Sequence, residues 1–379
     1  MIKIVTVIGA RPQIIKAAAL SRAIKKHFAE EIEEVIVHTG QHYDENMSQV
    51  FFDELGIPVP NYNMGVGSGS HGIQTAKMIE GIEEILIKED PDYLVVYGDT
   101  NSTLAGAMAA SKIHIPIVHI EAGVRSFNKS MPEEINRICC DHCSTMLFSP
   151  TATGYNNLIK EGFNPNNKKP FTIDNPGIYH CGDVMYDNSL YFGQATDNRQ
   201  QTTYNDKYIL CTIHRNNNTD EPERLNSIFR ALIKLSEEEE IIIPLHPRTK
   251  KLLSVNLEKE THNTLINNKR IHIIEPVSFL EMIKFEKNAS LVITDSGGVQ
   301  KEAYFFKKPC IIIRSETEWK EIVEVGAAII ADAEENRILE AYRKFKEEKN
   351  MSYPDIFGDG RAAEFICKEL IYNKEENII

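Results

Sequence analysis

Short apolar, β-rich runs alternate with longer helical patterns along the chain, and the series occurs twice. In the first half the runs are "KIVTVI", "EEVIVHT", "DYLVVYG", "IPIVHI" and "TMLFS"; in the second they are "YILCTIH", "EIIIPLH", "RIHIIE", "ASLVITD", "PCIIIR" and "AAIIA". A strand that is apolar at nearly every position, instead of every other one, has no face to give to water. It belongs in a parallel sheet covered by helices on both sides. Two such series predict an α/β protein of two doubly wound, Rossmann-like domains facing a cleft. In that architecture ligands bind beyond the carboxyl ends of the strands, so the strand exits are where chemistry is to be sought.

The 379 residues suffice for two domains with cores of their own. The stretch from Gly182 to Lys207 turns polar and rich in Asn, Gln and Thr, with no sustained strand. The first domain is therefore expected over residues 1–182 together with 361–379, where "RAAEFICKELIYN" reads as a last amphipathic helix crossing back. The second is expected over 183–360. A formal charge of −13 argues against a general nucleic-acid or membrane-surface binder, while leaving room for one small anion in a local basic pocket. No apolar run approaches the roughly 18 residues of a membrane helix, and "MIKIVTVIGARPQ" is a strand and a glycine turn, not a signal peptide. A cytoplasmic protein is expected.

The seven cysteines, an odd number, read as reduced thiols. In "CCDHC", Cys140 and Cys143 have CxxC spacing around His142, but a structural zinc needs a second ligand pair that the chain lacks. Small buried residues on a helix are the better reading. No metal and no cofactor are expected.

The first strand exits into "GARPQIIK". Gly9 permits a tight turn, Arg11 supplies a cation, Pro12 suits a first helical turn, and Lys16 follows one turn later: an anion site at a helix start, or a plain Gly-Pro turn with solvated bases. This is not GxGxxG, so no dinucleotide fingerprint is present. "VVYGDTNST" ends on Asp99 and "PIVHIEAG" on Glu121, two carboxylates at the rim of one sheet, as acid–base work requires. Asp99 fits a helix N-cap equally well, and Glu133, after Pro132, fits a dipole-favoured helix start. Glu121 has no such structural alternative. His214 in "LCTIHRNNN" stands at a strand exit of the second half, as turn residue or as catalyst; His246 in "PLHPR" is read as a turn residue. In "VITDSGGVQKEA", Ser296, Gly297 and Gly298 open a helix whose backbone amides can cradle phosphate, and Glu302 suits ribose hydroxyls. A plain glycine turn is the alternative.

Taken in order, "GARPQIIK", "GDTNSTLAGA", "HIEAGVRSFN", "MPEEINR", "TIHR" and "TDSGGVQKE" resemble the non-hydrolysing UDP-N-acetylglucosamine 2-epimerases, which have the glycosyltransferase-B fold. The resemblance implies Asp99, Glu121, Glu133 and His214 as catalytic groups. It also implies Arg11, Lys16, Ser296, Gly297, Gly298 and Glu302 as nucleotide contacts, with the apolar stretch after Pro276, including Met282, at uracil. It further implies a UDP-sugar as partner, a homodimer, and a role in surface polysaccharide precursors. "SETEWKE" puts Trp319 where, by the resemblance, relatives acting on UDP-N-acetylglucosamine typically carry an arginine. Together with "GARPQ" and "RSFNKSMPEE", this resembles the subgroup acting on UDP-2,3-diacetamido-2,3-dideoxyglucuronate.

The reaction expected from the resemblance is anti elimination of UDP to a glycal, followed by re-addition with a proton returned to the opposite face of C2. It calls for a base, an acid placed differently, and charge stabilisation at the diphosphate. A glycosyltransferase of the same fold, a hydrolysing epimerase, and a nucleotide-sugar-binding regulator without turnover are the competing readings.

Overall fold

The computed structural model describes residues 1–40, 55–196, 207–348 and 350–376. The chain divides into two compact units, Met1–Asn188 with Asp355–Ile379, and Ser189–Pro354.

The first unit contains β1 (Ile2–Ile8), β2 (Ile32–His38), β3 (Tyr62–Asn63), β4 (Tyr93–Tyr97), β5 (Ile117–Ile120), β6 (Met146–Ser149) and β7 (Gly177–His180). They form one sheet in the order β3-β2-β1-β4-β5-β6-β7, parallel at every pairing. Every residue of β4, β5 and β6 is buried, which is what continuous apolar runs require. β1 lies between β2 and β4, so the strand order reverses there and the exits of β1 and β4 flank a switch point.

The second unit contains β8 (Tyr208–Thr212), β9 (Glu240–Pro244), β10 (Ile271–Ile274), β11 (Leu291–Thr294), β12 (Cys310–Ile312) and β13 (Ala328–Ile330). Their order is β10-β9-β8-β11-β12-β13, again parallel throughout. The switch point falls between β8 and β11, whose exits carry His214 and the Ser296-Gly297-Gly298 turn. Ile209, Ile241 and Ile293 from the sheet pack with Phe229 and Leu232 of the helix Pro222–Leu235 in this unit's core. Each such side chain contributes about 1.5–3 kcal/mol on burial.

The strand runs read from sequence all form strands. β3 and β7 were not anticipated: both are short, and they occupy the two edges of the first sheet, where burial is incomplete and apolar continuity is lost. The polar stretch after Gly182 begins with a helix, Val184–Thr196, and the first unit runs on to Asn188, past the expected limit at 182. The reason lies in two side chains. Asn188 donates to the Ile15 carbonyl at 2.6 Å. Asp187 accepts from the Ala362 and Ala363 amides at 3.1 and 2.8 Å, capping the last helix, Ala362–Glu376. Asn373 on that helix meets the Tyr93 hydroxyl at 3.0 Å and the Phe171 amide at 2.9 Å, so the helix is stitched to the first unit.

Among the described residues no helix is long and apolar enough to cross a membrane, and no group of three His, Cys, Asp or Glu side chains is placed to hold a metal ion. All seven cysteines are free thiols, and Cys140 is a buried residue of the helix Pro132–Cys143.

Candidate active site

The exits of β1 and β4 are held together by one buried amide. Gln13 Oε1 accepts from the Gly9 and Ala10 amides at 2.9 and 3.2 Å, while its Nε2 donates to the Tyr97 carbonyl at 3.0 Å and to Thr103 Oγ1 at 2.9 Å. A side chain on Gly9 is impossible here, since a Cβ would lie 2.2 Å from both Ser102 Oγ and Thr39 Oγ1. Arg11 stands exposed at the start of the helix Arg11–His27. Lys16, buried one turn later, reaches Glu121 at 2.7 Å between Nζ and Oε1.

Glu121 has φ 75°, the left-handed region, which costs a residue with a side chain about 1–2 kcal/mol. The turn is fixed by backbone bonds: the Glu121 and Ala122 amides both donate to the Phe148 carbonyl at 3.0 Å, and the Gly98 amide donates to Ile120 O at 2.9 Å. Strain retained at a charged strand exit is typical of functional positions. Asp99 pairs with Arg137, which also holds Glu134 at 3.1 Å. Asp99 is not the helix cap that one sequence reading allowed; Thr100 is, accepting from the Thr103 amide. Glu133, in the first turn of the helix Pro132–Cys143, is exposed. It lines a cavity of about 380 Å³ together with Asp99, His71, Gln74, Asn101 and Asn136.

Its neighbour Glu134 is buried and structural. Burial alone would raise its pKa, but the Ser126 and Phe127 amides, the Ser126 hydroxyl and Arg137 hold the carboxyl below its usual range.

Behind these acids lies a buried ionic hub. His119 on β5 is fully enclosed; its Nδ1 is 2.6 Å from Asp141 Oδ1 and its Nε2 is 2.8 Å from the Gly98 carbonyl. Both partners only accept, so both ring nitrogens carry protons and the ring is an imidazolium. Burial opposes that charge, but Cys140 and Asp141 beside it keep the pKa well above the ordinary imidazole value. Asp141 also accepts from the Gly123 amide at 3.1 Å and from Arg125 at 2.6 Å, and these partners outweigh the upward push of burial on its own pKa. The hub ties the Gly98-Asp99 turn, the strand leading to Glu121 and the helix bearing Glu133 into one frame.

In the second unit, His214 is exposed at the β8 exit with Nδ1 2.9 Å from Asp295 Oδ1, leaving Nε2 as the outward nitrogen. Asp295 is fully buried and also accepts from the Arg215 amide and Asn218 Nδ2, each at 3.1 Å. Burial pushes its pKa up, and His214 and these donors bring it below the usual carboxylate range. Ser296 caps the helix Gly297–Phe305, leaving the Gly298 backbone exposed. Glu302, in the body of that helix, faces the fully buried Glu286 of the helix Phe279–Asn288. Burial and then the Glu302 charge push the Glu286 pKa well up. Lys301 Nζ lies 4.1 Å over the ring of buried Trp319, whose Nε1 would be 3.6 Å from a Cβ added to Gly297. Pro276 is exposed and Met282 half-buried, while His246 caps the helix Pro247–Asn256 through the Arg248 amide, the turn role read for it.

Within the first unit, Lys16, Asp99, Glu121 and Glu133 stand at neighbouring exits around one switch point, with Arg11 at the head of the adjoining helix. Within the second, His214, Ser296, Gly297 and Gly298 do the same. Sequence reasoning missed Arg137, Asp141, Asp295 and His71. Arg137 left a signal in its three-residue spacing from Glu134 in "EEINR", and Asp295 left one in its place at the strand exit of "VITDSGG".

Two parallel, doubly wound sheets in one chain, each with its polar residues gathered at a switch point, define an α/β protein of two Rossmann-like domains. A sequence model of the family described as UDP-N-acetylglucosamine 2-epimerase matches residues 23–371. A UDP-N-acetylglucosamine 2-epimerase homolog of Methanococcus maripaludis is 48% identical over 97% of this chain and 99% of its own. The UDP-2,3-diacetamido-2,3-dideoxy-D-glucuronate 2-epimerase of Pseudomonas aeruginosa is 45% identical over 97% and 99%. The crystal structure of the Methanocaldococcus jannaschii UDP-GlcNAc 2-epimerase, in complex with UDP-GlcNAc and UDP, is 42% identical over 98% of this chain and 99% of that one, with a TM-score of 0.85. The chain belongs to the UDP-N-acetylglucosamine 2-epimerase family, and its fold class is the glycosyltransferase-B type expected from sequence.

Proposed function

We propose that the protein is a non-hydrolysing 2-epimerase of a UDP-N-acetylhexosamine, interconverting UDP-N-acetylglucosamine and UDP-N-acetylmannosamine. The observation that carries this reading is the pair of carboxylates, Asp99 and Glu133, lining one cavity, with Glu121 ion-paired to Lys16 at the neighbouring exit. A C2 hydrogen that is not next to a carbonyl cannot be removed by simple enolisation. Removing it as UDP leaves C1 avoids that difficulty. One carboxylate takes the C2 proton, the C1–O bond breaks, and a C1=C2 double bond forms. A second acid then returns a proton to the other face of C2 while a UDP oxygen re-forms the bond to C1. The cycle is redox-neutral and balances without a cofactor.

Arg11 and Lys16 are proposed at the diphosphate from the first unit, and Ser296, Gly297 and Gly298 from the second. Glu302 is proposed at the ribose, Pro276 and Met282 at uracil, and Trp319 at the substrate. His214, oriented by Asp295, is proposed as the fourth catalytic group. The reading includes a homodimer in the cytoplasm that feeds surface polysaccharide precursors; sedimentation of the purified chain checks the dimer.

A second substrate, UDP-2,3-diacetamido-2,3-dideoxyglucuronate, is favoured by the 45% identity to the Pseudomonas aeruginosa enzyme of that name. Incubation with each sugar nucleotide in deuterated water, followed by proton NMR, tests both. The expected product is the C2 epimer carrying deuterium at C2, and epimer without label would reject the proton-transfer scheme. Free N-acetylmannosamine would indicate a hydrolysing enzyme, UDP release only with an added acceptor a glycosyltransferase, and binding without turnover a regulator.

A further inference from the structure

The orientation of one backbone carbonyl propagates through three side chains into the acid cavity. Gln74 Nε2 donates to the Gly67 carbonyl at 2.8 Å, which leaves Gln74 Oε1 to face Asn101. Asn101 Nδ2 lies 3.0 Å from that oxygen and 3.1 Å from His71 Nδ1, while its own oxygen is farther from the ring nitrogen, at 3.5 Å. Asn136 Nδ2 supports the same assignment from the other side, 3.3 Å from Asn101 Oδ1 and 2.8 Å from the Asp99 carbonyl. Gln74, Asn101 and Asn136 are all buried, so this chain of amides is not free to flip in solvent. An amide nitrogen only donates. His71 Nδ1 is therefore an acceptor, and the ring proton of the neutral imidazole sits on Nε2.

His71 is itself exposed and lines the same cavity as Asp99 and Glu133. A carboxyl group is an acceptor only while it is ionised, and either acid must gain and lose a proton during turnover, so neither is a constant donor. A neutral N–H donor preset among them serves a ligand group that is an acceptor and that carboxylates would repel.

We infer that His71 is a substrate-contacting residue whose Nε2–H donates to the carbonyl oxygen of the sugar's 2-acetamido group. The inference rests on the 2-epimerase reading, in which the carboxylates work at C2, so that its acetamido substituent shares their cavity. Both sugar nucleotides considered above carry that group. Holding its oxygen also keeps it from attacking C1 as UDP departs. The bond is a recognition device: a site built around a fixed donor rejects a ligand lacking the acceptor, because the donor is then left unpaired.

Two variants separate this role from a purely internal one. In His71→Asn the short side chain keeps an acceptor for Asn101 but withdraws the cavity donor. In His71→Gln the amide nitrogen reaches the Nε2 position, while the acceptor for Asn101 is lost. Calorimetric affinities for UDP, UDP-glucose, UDP-N-acetylglucosamine and the diacetamido-uronate nucleotide are compared, with circular dichroism as the folding control. Wild type is expected to prefer the acetamido sugars over UDP-glucose. His71→Asn should lose on the order of tenfold of that preference with UDP affinity unchanged, and His71→Gln should keep most of it. Unchanged preference in His71→Asn overturns the inference, as does equal loss in both variants. Wild type that binds UDP yet prefers neither acetamido sugar also overturns it, leaving the nucleotide reading intact. Wild type that binds no UDP overturns the functional reading, and the inference with it.

Discussion

Lys16 Nζ and Glu121 Oε1 meet at 2.7 Å directly over the backbone of Gly98. A Cβ added to Gly98 would lie 2.9 Å from that ammonium and 3.3 Å from that carboxylate oxygen, and Gly98 has φ +62°. Three strand and helix exits thus share one point of closest approach, and a side chain at position 98 would have to push the Lys16 ammonium aside.

Gly98→Ala is accordingly expected to displace the ion pair. Initial rates with UDP-N-acetylglucosamine should fall by about 10²-fold, a misplaced catalytic group being enough for that loss. The left-handed turn should add about 1–2 kcal/mol of destabilisation, read from urea midpoints. Rates within a factor of two or so of wild type would mean the Lys16–Glu121 pair is not where chemistry is set.

Asp141→Asn removes the carboxylate that His119 and Arg125 share. A buried ion pair broken on one side costs about 3–5 kcal/mol. Because the Asp141 pKa is depressed in the folded protein, its contribution is present above the ordinary carboxylate range and disappears as pH falls through the depressed value. Denaturant titrations from pH 7 down to pH 3 should show wild type losing stability faster than Asp141→Asn.

Asp187 behaves oppositely. Burial pushes its pKa up to about 6 from 3.8, although the Ala363 and Ala362 amides pull it down. The folded state binds this proton more tightly, so the associated stability is complete below the ordinary value and is lost as pH rises through about 6. Asp187→Asn, whose single amide oxygen keeps one of the two cap acceptors, should lose less stability than wild type between pH 4 and 7, by about 1–3 kcal/mol.

Asp295→Asn tests how far His214 depends on its partner. With the buried carboxylate gone, the imidazole loses its charge-assisted bond and its fixed tautomer. Turnover should drop by about 10²-fold or more while UDP affinity holds, and steady-state kinetics beside calorimetry separates the two. A loss confined to UDP affinity would place His214 in binding alone.

The strands were legible because parallel strands buried on both faces leave continuous apolar runs, and the exits followed from the runs. Lys16 and Glu121 were each visible as exit residues, but their contact spans 105 positions and depends on β1, β4 and β5 lying side by side, which no local pattern encodes. Asp99 and Thr100 illustrate the ambiguity of adjacent polar residues: either can cap a helix in sequence, and only the backbone course selects Thr100. Asp141 was passed over inside "CCDHC" because a charged residue on a helix ordinarily faces water, whereas its partners come from β5, the following turn and Arg125. The tautomer of His71 is decided by Gly67, Gln74 and Asn101 together, and no one of them announces it.

The amide of Gln13 couples two loops that sequence comparison would treat as separate signatures. Because it donates at Tyr97 and Thr103 while accepting at Gly9 and Ala10, a glutamate there could satisfy only the accepting half. A chimera that brings a glutamate to position 13 therefore inherits a mismatch at Tyr97 and Thr103 in the neighbouring loop. Swapping both segments as a block is the route by which such hybrids stay intact.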